Sequence, residues 1–110
     1  MKFKQGTIEL LLDSGAKQTV RAFICGNMAY HRPSSGPESQ GAGYWTCTHI
    51  PSGFAAGRAN NLKNIRAIVA TWLPIVAGIN DTDGEIVSTK IQAQPGFREA
   101  LNTVKLLQYA

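Results

Sequence analysis

Apolar and polar positions alternate with two different periods along this chain, and the change falls near residue 60. Before it, Thr7-Ile8-Glu9-Leu10-Leu11-Leu12, within Phe3 to Leu12, predicts a strand, and Asp13-Ser14-Gly15 predicts the turn that sends the chain back. The run from Gln18 to Tyr30 predicts a second strand, with Val20, Ala22 and Ile24 on one side and Arg21, Phe23 and Cys25 on the other. Gly26-Asn27 interrupts that run and predicts a bulge or a sharp bend. From Arg32 to Gly43 there are too few apolar residues to offset the entropy of ordering, so a mobile loop between strands is expected. In Tyr44 to Phe54, aromatic and β-branched residues surround Pro51-Ser52-Gly53, which predicts strand, tight turn, strand. Trp45, Cys47 and His49 then share one face of the third strand, and Tyr44, Thr46, Thr48 and Ile50 the other. Phe54-Ala55-Ala56 predicts a short fourth strand, ended by Gly57.

Beyond Asn60 the apolar spacing becomes helical. Leu62, Ile65, Ile68, Val69, Trp72, Leu73 and Val76 recur every three or four residues behind Asn60 or Asn61, either of which can cap a helix. Pro74 has no amide hydrogen and crowds the preceding turn, so this helix is expected to end or kink near Trp72. Thr82-Asp83-Gly84-Glu85 fits a reciprocal capping pattern for a second helix reaching about Ala93, although the β-branched run Ile86 to Ile91 also suits a strand. After Pro95-Gly96, a stripe of Phe97, Ala100, Leu101, Val104 and Leu107 predicts a last helix, Phe97 to Gln108. The expected architecture is α+β: an antiparallel sheet of three or four strands followed by two or three helices packed on one face. Residues 1–57 are mainly β and 60–110 mainly α, in a single domain.

Composition agrees with one domain, since 110 residues that are 44% hydrophobic can build one core but not a core plus an elaborate cleft. The N-terminal Met1-Lys2-Phe3-Lys4 runs into Thr7-Ile8-Glu9 rather than an apolar stretch, so no secretory signal is expected there. The most apolar run, Ile65 to Ile79, is broken by Arg66, Thr71, Pro74 and Gly78, which argues against a membrane span. A cytoplasmic setting is expected, with Cys25 and Cys47 as reduced thiols rather than a disulfide. The formal charge of +4 is unevenly placed. Through Arg66 there are eight basic residues against three acids, and from Ala67 onward three against four. Positive potential therefore belongs to the sheet and the start of the first helix, which favours an anionic partner.

Several residues could carry chemistry. Cys25, His31, Cys47 and His49 form a set able in principle to hold zinc, and Cys47 with His49 could pair a thiolate with an imidazole. The chain lacks a C-x-x-C knuckle and an identifiable orienting group, so packing is favoured: Cys47 filling a core gap and His49 capping the hairpin. None of Ser34, Ser35, Ser39 and Ser52 sits in a nucleophile elbow. Asp81, Asp83 and Glu85 cluster where negative charge favours a helix start, which explains them without an acid catalyst. Arg58, Lys63 and Arg66 are the stronger lead. Lys63 and Arg66 lie three apart on the first helix and Arg58 on its approach, a pattern that suits either a solvated helix face or, with Tyr30, Tyr44 or Trp45 nearby, a surface for phosphates, bases or a protein.

The hairpin Trp45-Thr46-Cys47-Thr48-His49-Ile50-Pro51-Ser52-Gly53, followed by a long helix, resembles small phage and prophage accessory proteins carrying Trp-x-x-Thr-His-x-Pro-Ser/Thr-Gly, over roughly Tyr44 to Val76. The resemblance implies an anti-defence role of the anti-CRISPR kind, exercised by occupying a partner's surface. On this reading the chain is a non-enzymatic protein-binding or inhibitor module without cofactor, contacting its protein partner through Tyr30, Tyr44, Arg58, Lys63 and Arg66. Self-association is compatible with it. The basic balance departs from the acidic surfaces of many anti-CRISPR proteins and supports a second reading, nucleic-acid binding through a basic sheet edge. A Cys/His-dependent enzyme is the third.

Overall fold

A computed structural model describes residues 2–11, 15–32 and 44–108. Among these described residues five strands form one antiparallel sheet in chain order: β1 (Lys4–Leu11), β2 (Lys17–Cys25), β3 (Met28–His31), β4 (Trp45–His49) and β5 (Phe54–Ala59). Three helices follow, α1 (Leu62–Val76), α2 (Gly84–Gln92) and α3 (Phe97–Gln108). The α+β class is as expected, but the sheet has one strand more than the three or four read from the sequence.

The additional strand comes from Gly26-Asn27. Instead of bending one long strand, these two residues make a tight turn, so Cys25 pairs with Met28 and Phe23 with Tyr30. Gly26 takes a φ of 61°, which only a residue without Cβ adopts freely. Asn27 then reaches out of the turn, and its Nδ2 donates to the carbonyls of Val76 at 2.9 Å and Ile79 at 3.0 Å. The Val76 carbonyl also accepts from the Ile79 amide, so Asn27 ties the turn that follows α1 to the sheet.

Residues opposite one another across a ladder share a face. Cys25, Met28 and His49 form one such row, and Phe23, Tyr30 and Cys47 the next. This face meets α1, whose Ile65, Ile68, Val69, Trp72 and Val76 build the main core with Met28, Tyr30 and Cys47. On the reverse face, Ile8, Leu10, Ala22 and Ala29 form a smaller cluster with Val20, Ile24 and Ile50. Both alternations read from the sequence are therefore real, with the Trp45, Cys47 and His49 face turned toward the helices.

Three local expectations change. Gly57 does not end β5; the strand passes through it, with a bulge opposite Cys47 and Thr48. Its φ is 145°, and a Cβ there would lie 3.0 Å from Gln108 Oε1 and 3.2 Å from Val104 Cγ1, so glycine lets α3 close on the strand. Next, α1 does not end near Trp72 but runs through Pro74 to Val76. Proline forfeits one amide donor, whereas the turn that holds it buries Ile75 and Val76 in the core. Finally, Asp83 rather than Thr82 caps α2, accepting from the amides of Glu85 at 2.8 Å and Ile86 at 3.3 Å. The β-branched run behind it is helical because Val87 and Ile91, four apart, are both buried.

The outer edge of β5 is covered. Trp72 Nε1 donates to the Ala56 carbonyl at 2.8 Å, and the Arg58 amide donates to Gln108 Oε1 at 3.0 Å. No helix among the described residues is long and apolar enough to cross a membrane. Apart from Arg32, the stretch expected as a mobile loop lies outside the described residues, as do Ser34, Ser35, Ser39 and the turn residues Asp13 and Ser14.

Candidate functional site

α1 packs chiefly over β3, β4 and β5, and four aromatic rings gather beside it on the same sheet face. Phe23 of β2 stacks on Tyr30 of β3 at 5.0 Å between centroids. Phe3 and Trp45 form T-shaped pairs with Tyr30 at 5.1 and 5.5 Å, the arrangement that sets a positive ring edge against a negative ring face. Tyr30 is fully buried, whereas Phe3, Phe23 and Trp45 keep part of their surface in water.

Arginines border these rings. Arg66 on α1 donates from Nε to the Tyr30 hydroxyl at 3.0 Å, with its guanidinium 5.9 Å from the Phe3 ring centre. Arg32, just past β3, lies 4.0 Å over Trp45 and donates to the Tyr44 carbonyl at 3.2 Å. Arg58 of β5 lies 5.5 Å from the Tyr44 ring. Arg58 pairs with Thr46 and so belongs to the opposite face from Trp45. The cationic surface therefore wraps around one end of the sheet, where β3 and β5 finish and β4 and α1 begin. Lys63 is exposed three residues before Arg66 on α1.

Among the described residues no carboxylate is ion-paired with Arg58, Lys63 or Arg66; the ion pairs lie elsewhere, Lys17 with Glu9 at 3.9 Å and Lys90 with Asp81 at 2.8 Å. Of the contact residues expected from the sequence, Tyr30, Tyr44, Arg58 and Arg66 fall into one chain of contacts. Tyr30 cannot itself meet a partner, being buried; it holds the Arg66 guanidinium in place. Phe3, Phe23 and Arg32 are members that sequence reasoning missed. Only Phe23 left a signal, its alternation with Arg21 and Cys25 on one strand face.

The Cys and His set does not converge. His31 is buried on the reverse face; its Nδ1 donates to the Arg32 carbonyl at 2.7 Å and its Nε2 accepts from the Thr48 hydroxyl at 2.7 Å. A carbonyl only accepts, which fixes the Nδ1–H tautomer. Burial holds the His31 pKa below its ordinary value, against a smaller opposing effect of the Arg32 carbonyl. His49 lies on the helix face, where Nε2 donates to the Ile79 carbonyl at 2.6 Å and Nδ1 accepts from Ser52 Oγ at 2.7 Å. With both nitrogens engaged, His49 offers Cys47 no base. Burial pushes the Cys47 thiol far up, so the nucleophilic thiolate is disfavoured. Among the described residues no three His, Cys, Asp or Glu side chains group as metal ligands.

Ser52, His49 and the Ile79 carbonyl form a nucleophile-like relay beside a hollow of about 350 Å³ between Leu10, Lys17 and Ile50. The amides nearest the serine are already engaged, Gly53 N–H on the His49 carbonyl and Phe54 N–H on Ser52 Oγ itself. An oxyanion forming at Ser52 would find neither donor free, and the group works as a turn brace. A second, apolar hollow of about 310 Å³ lies between β5, α2 and α3, floored by Trp72 and Phe97. Comparisons with protein-family models, with curated proteins and with solved structures find no match to this chain.

Proposed function

We propose that this chain is a non-enzymatic binding module that acts by occupying the surface of an anionic macromolecule, with the arginine and aromatic end of the sheet as its contact surface. The observation that carries the reading is the set of exposed cations, Arg58, Lys63 and Arg66, left without a carboxylate partner among the described residues while Arg58 and Arg66 border aromatic rings. Folded proteins ordinarily disperse such charge, and a cation resting on an aromatic face is held ready for a partner at low entropic cost. The state of Cys47 and the full engagement of His49 favour binding over catalysis. An inhibitor that blocks a host system by occupancy would use the same surface.

The test is retention from a host lysate by the tagged protein, with the Arg58→Gln, Lys63→Gln, Arg66→Gln triple variant beside it. The variant is expected to lose the bound macromolecule while keeping the circular dichroism of the parent. Equal retention by both would remove this surface from the function.

A further inference from the structure

We infer that the partner held at this end of the sheet is single-stranded nucleic acid; the inference rests on the binding-module reading above and names its ligand class. Three observations converge on it.

Charge is the first. Arg58, Lys63 and Arg66 are exposed, come from β5 and α1, and meet no carboxylate among the described residues, so a polyanion would supply the missing counter-charge and release its own condensed cations. The second is the kind of group beside the charge. Trp45, Tyr44, Phe3 and Phe23 are half-buried rings on or beside adjacent strands, within one contact of an arginine or of the Tyr30 that holds one. Aromatic rings and guanidinium planes both stack on unpaired bases, whereas a purely acidic protein surface would need only the cations. The third is shape. The cationic surface bends around strand ends from the Trp45 face to the Arg58 face, since Arg58 pairs with Thr46 on the side opposite Trp45. A flexible single strand follows such a bend; a stiff duplex does not.

The test is fluorescence anisotropy with labelled single strands of about 12 nucleotides, as DNA and as RNA, against a duplex of equal length, at about 50 mM salt and upward. The parent protein is expected to bind one or both single strands with a low-micromolar Kd and the duplex at least about tenfold more weakly. The Arg58→Gln, Lys63→Gln, Arg66→Gln variant is expected to bind at least about tenfold more weakly than the parent, and its salt slope to fall by about 2, three phosphate contacts at about 0.7 each. Tyr44→Ala, which removes a ring without changing charge, is expected to weaken binding about fivefold or more. A control triple variant, Lys90→Gln, Arg98→Gln and Lys105→Gln, removes equal charge from α2 and α3 and is expected to change affinity less than twofold.

Equal losses in the two triple variants, or equal affinity for the duplex, would overturn the inference, because binding would then follow net charge alone. Absence of oligonucleotide binding would overturn it as well. If a protein partner survives nuclease treatment and is lost only from the Arg58, Lys63 and Arg66 variant, the ligand class is wrong and the binding surface stands. If neither oligonucleotide nor protein responds to those substitutions, both readings fall.

Discussion

Both ring nitrogens of His31 are hydrogen-bonded and the ring is buried, so a proton added there would bring charge into a layer that offers it no carboxylate among the described residues. Folding depresses this pKa, and the sign follows. Above about pH 6.5 the imidazole is neutral in both states and its contribution is complete. Below that the unfolded chain binds the proton first, and stability falls as pH drops toward the folded pKa. We expect urea unfolding between pH 7 and pH 5 to show this loss and His31→Gln to flatten it; an unchanged slope would remove His31 from the acid response. Trp72 tests the core instead. It is 5% exposed, its ring approaches Phe97 at 6.1 Å and its Nε1 holds the Ala56 carbonyl. Trp72→Ala is expected to cost about 3–5 kcal/mol in chemical denaturation, and a loss under 1 kcal/mol would place the core elsewhere. That Trp72 is core was legible from its helical spacing. That its indole also covers a strand edge was not, because spacing along one helix carries no information about which strand lies opposite.

Elements were read most reliably where one period ran long. The seven-position apolar stripe of α1 and the stripe of α3 left little choice, and both helices stand where the pattern puts them. Where a local preference met a stronger tertiary demand, the reading was left open, as at α2, or was wrong, as at the end expected for α1 near Trp72. The β-branched run of α2 is helical because two of its members fill the core, and Pro74 sits inside α1 because the turn around it is buried. The Gly26-Asn27 pair was read as a bend because nothing local says that the strand after it is only four residues long, Met28–His31. Pro74 offers a direct check. Its own side chain is exposed and it denies α1 one backbone bond, so Pro74→Ala is expected to raise stability by about 1 kcal/mol or more, seen as a higher urea midpoint with an unchanged m-value. A lower midpoint would mean that the proline fits a local distortion which alanine cannot reproduce.

At the scale of the whole molecule, topology brings part of the basic half, Arg32, Arg58, Lys63 and Arg66, to one end of the sheet. Arg58, Lys63 and Arg66 are near neighbours in sequence, and that part of the site was legible. Phe3 and Arg32 were not, because they reach Arg66 and Trp45 only through strand register, which the composition of each strand leaves undetermined. The sheet itself is a meander in which every strand pairs with its neighbour in sequence, so its contacts are local. Two side chains from its turns and strands, Asn27 and His49, tie the sheet to the carbonyls of Val76, the last residue of α1, and of Ile79 just beyond it. Those bonds span 49, 52 and 30 residues, and they close only once sheet and helix lie together. The consequence is kinetic: the hairpins are expected to form early and the seam at 76–79 to close after the rate-limiting step. Asn27→Ala should then leave the refolding rate nearly unchanged and speed unfolding about fivefold to tenfold, the full effect of a lost hydrogen-bond pair falling on one arm of the chevron. Slower refolding in that variant would instead make the seam part of the folding nucleus. With a late-closing seam, the lifetime of the native state, more than its rate of formation, is set by one asparagine in a two-residue turn.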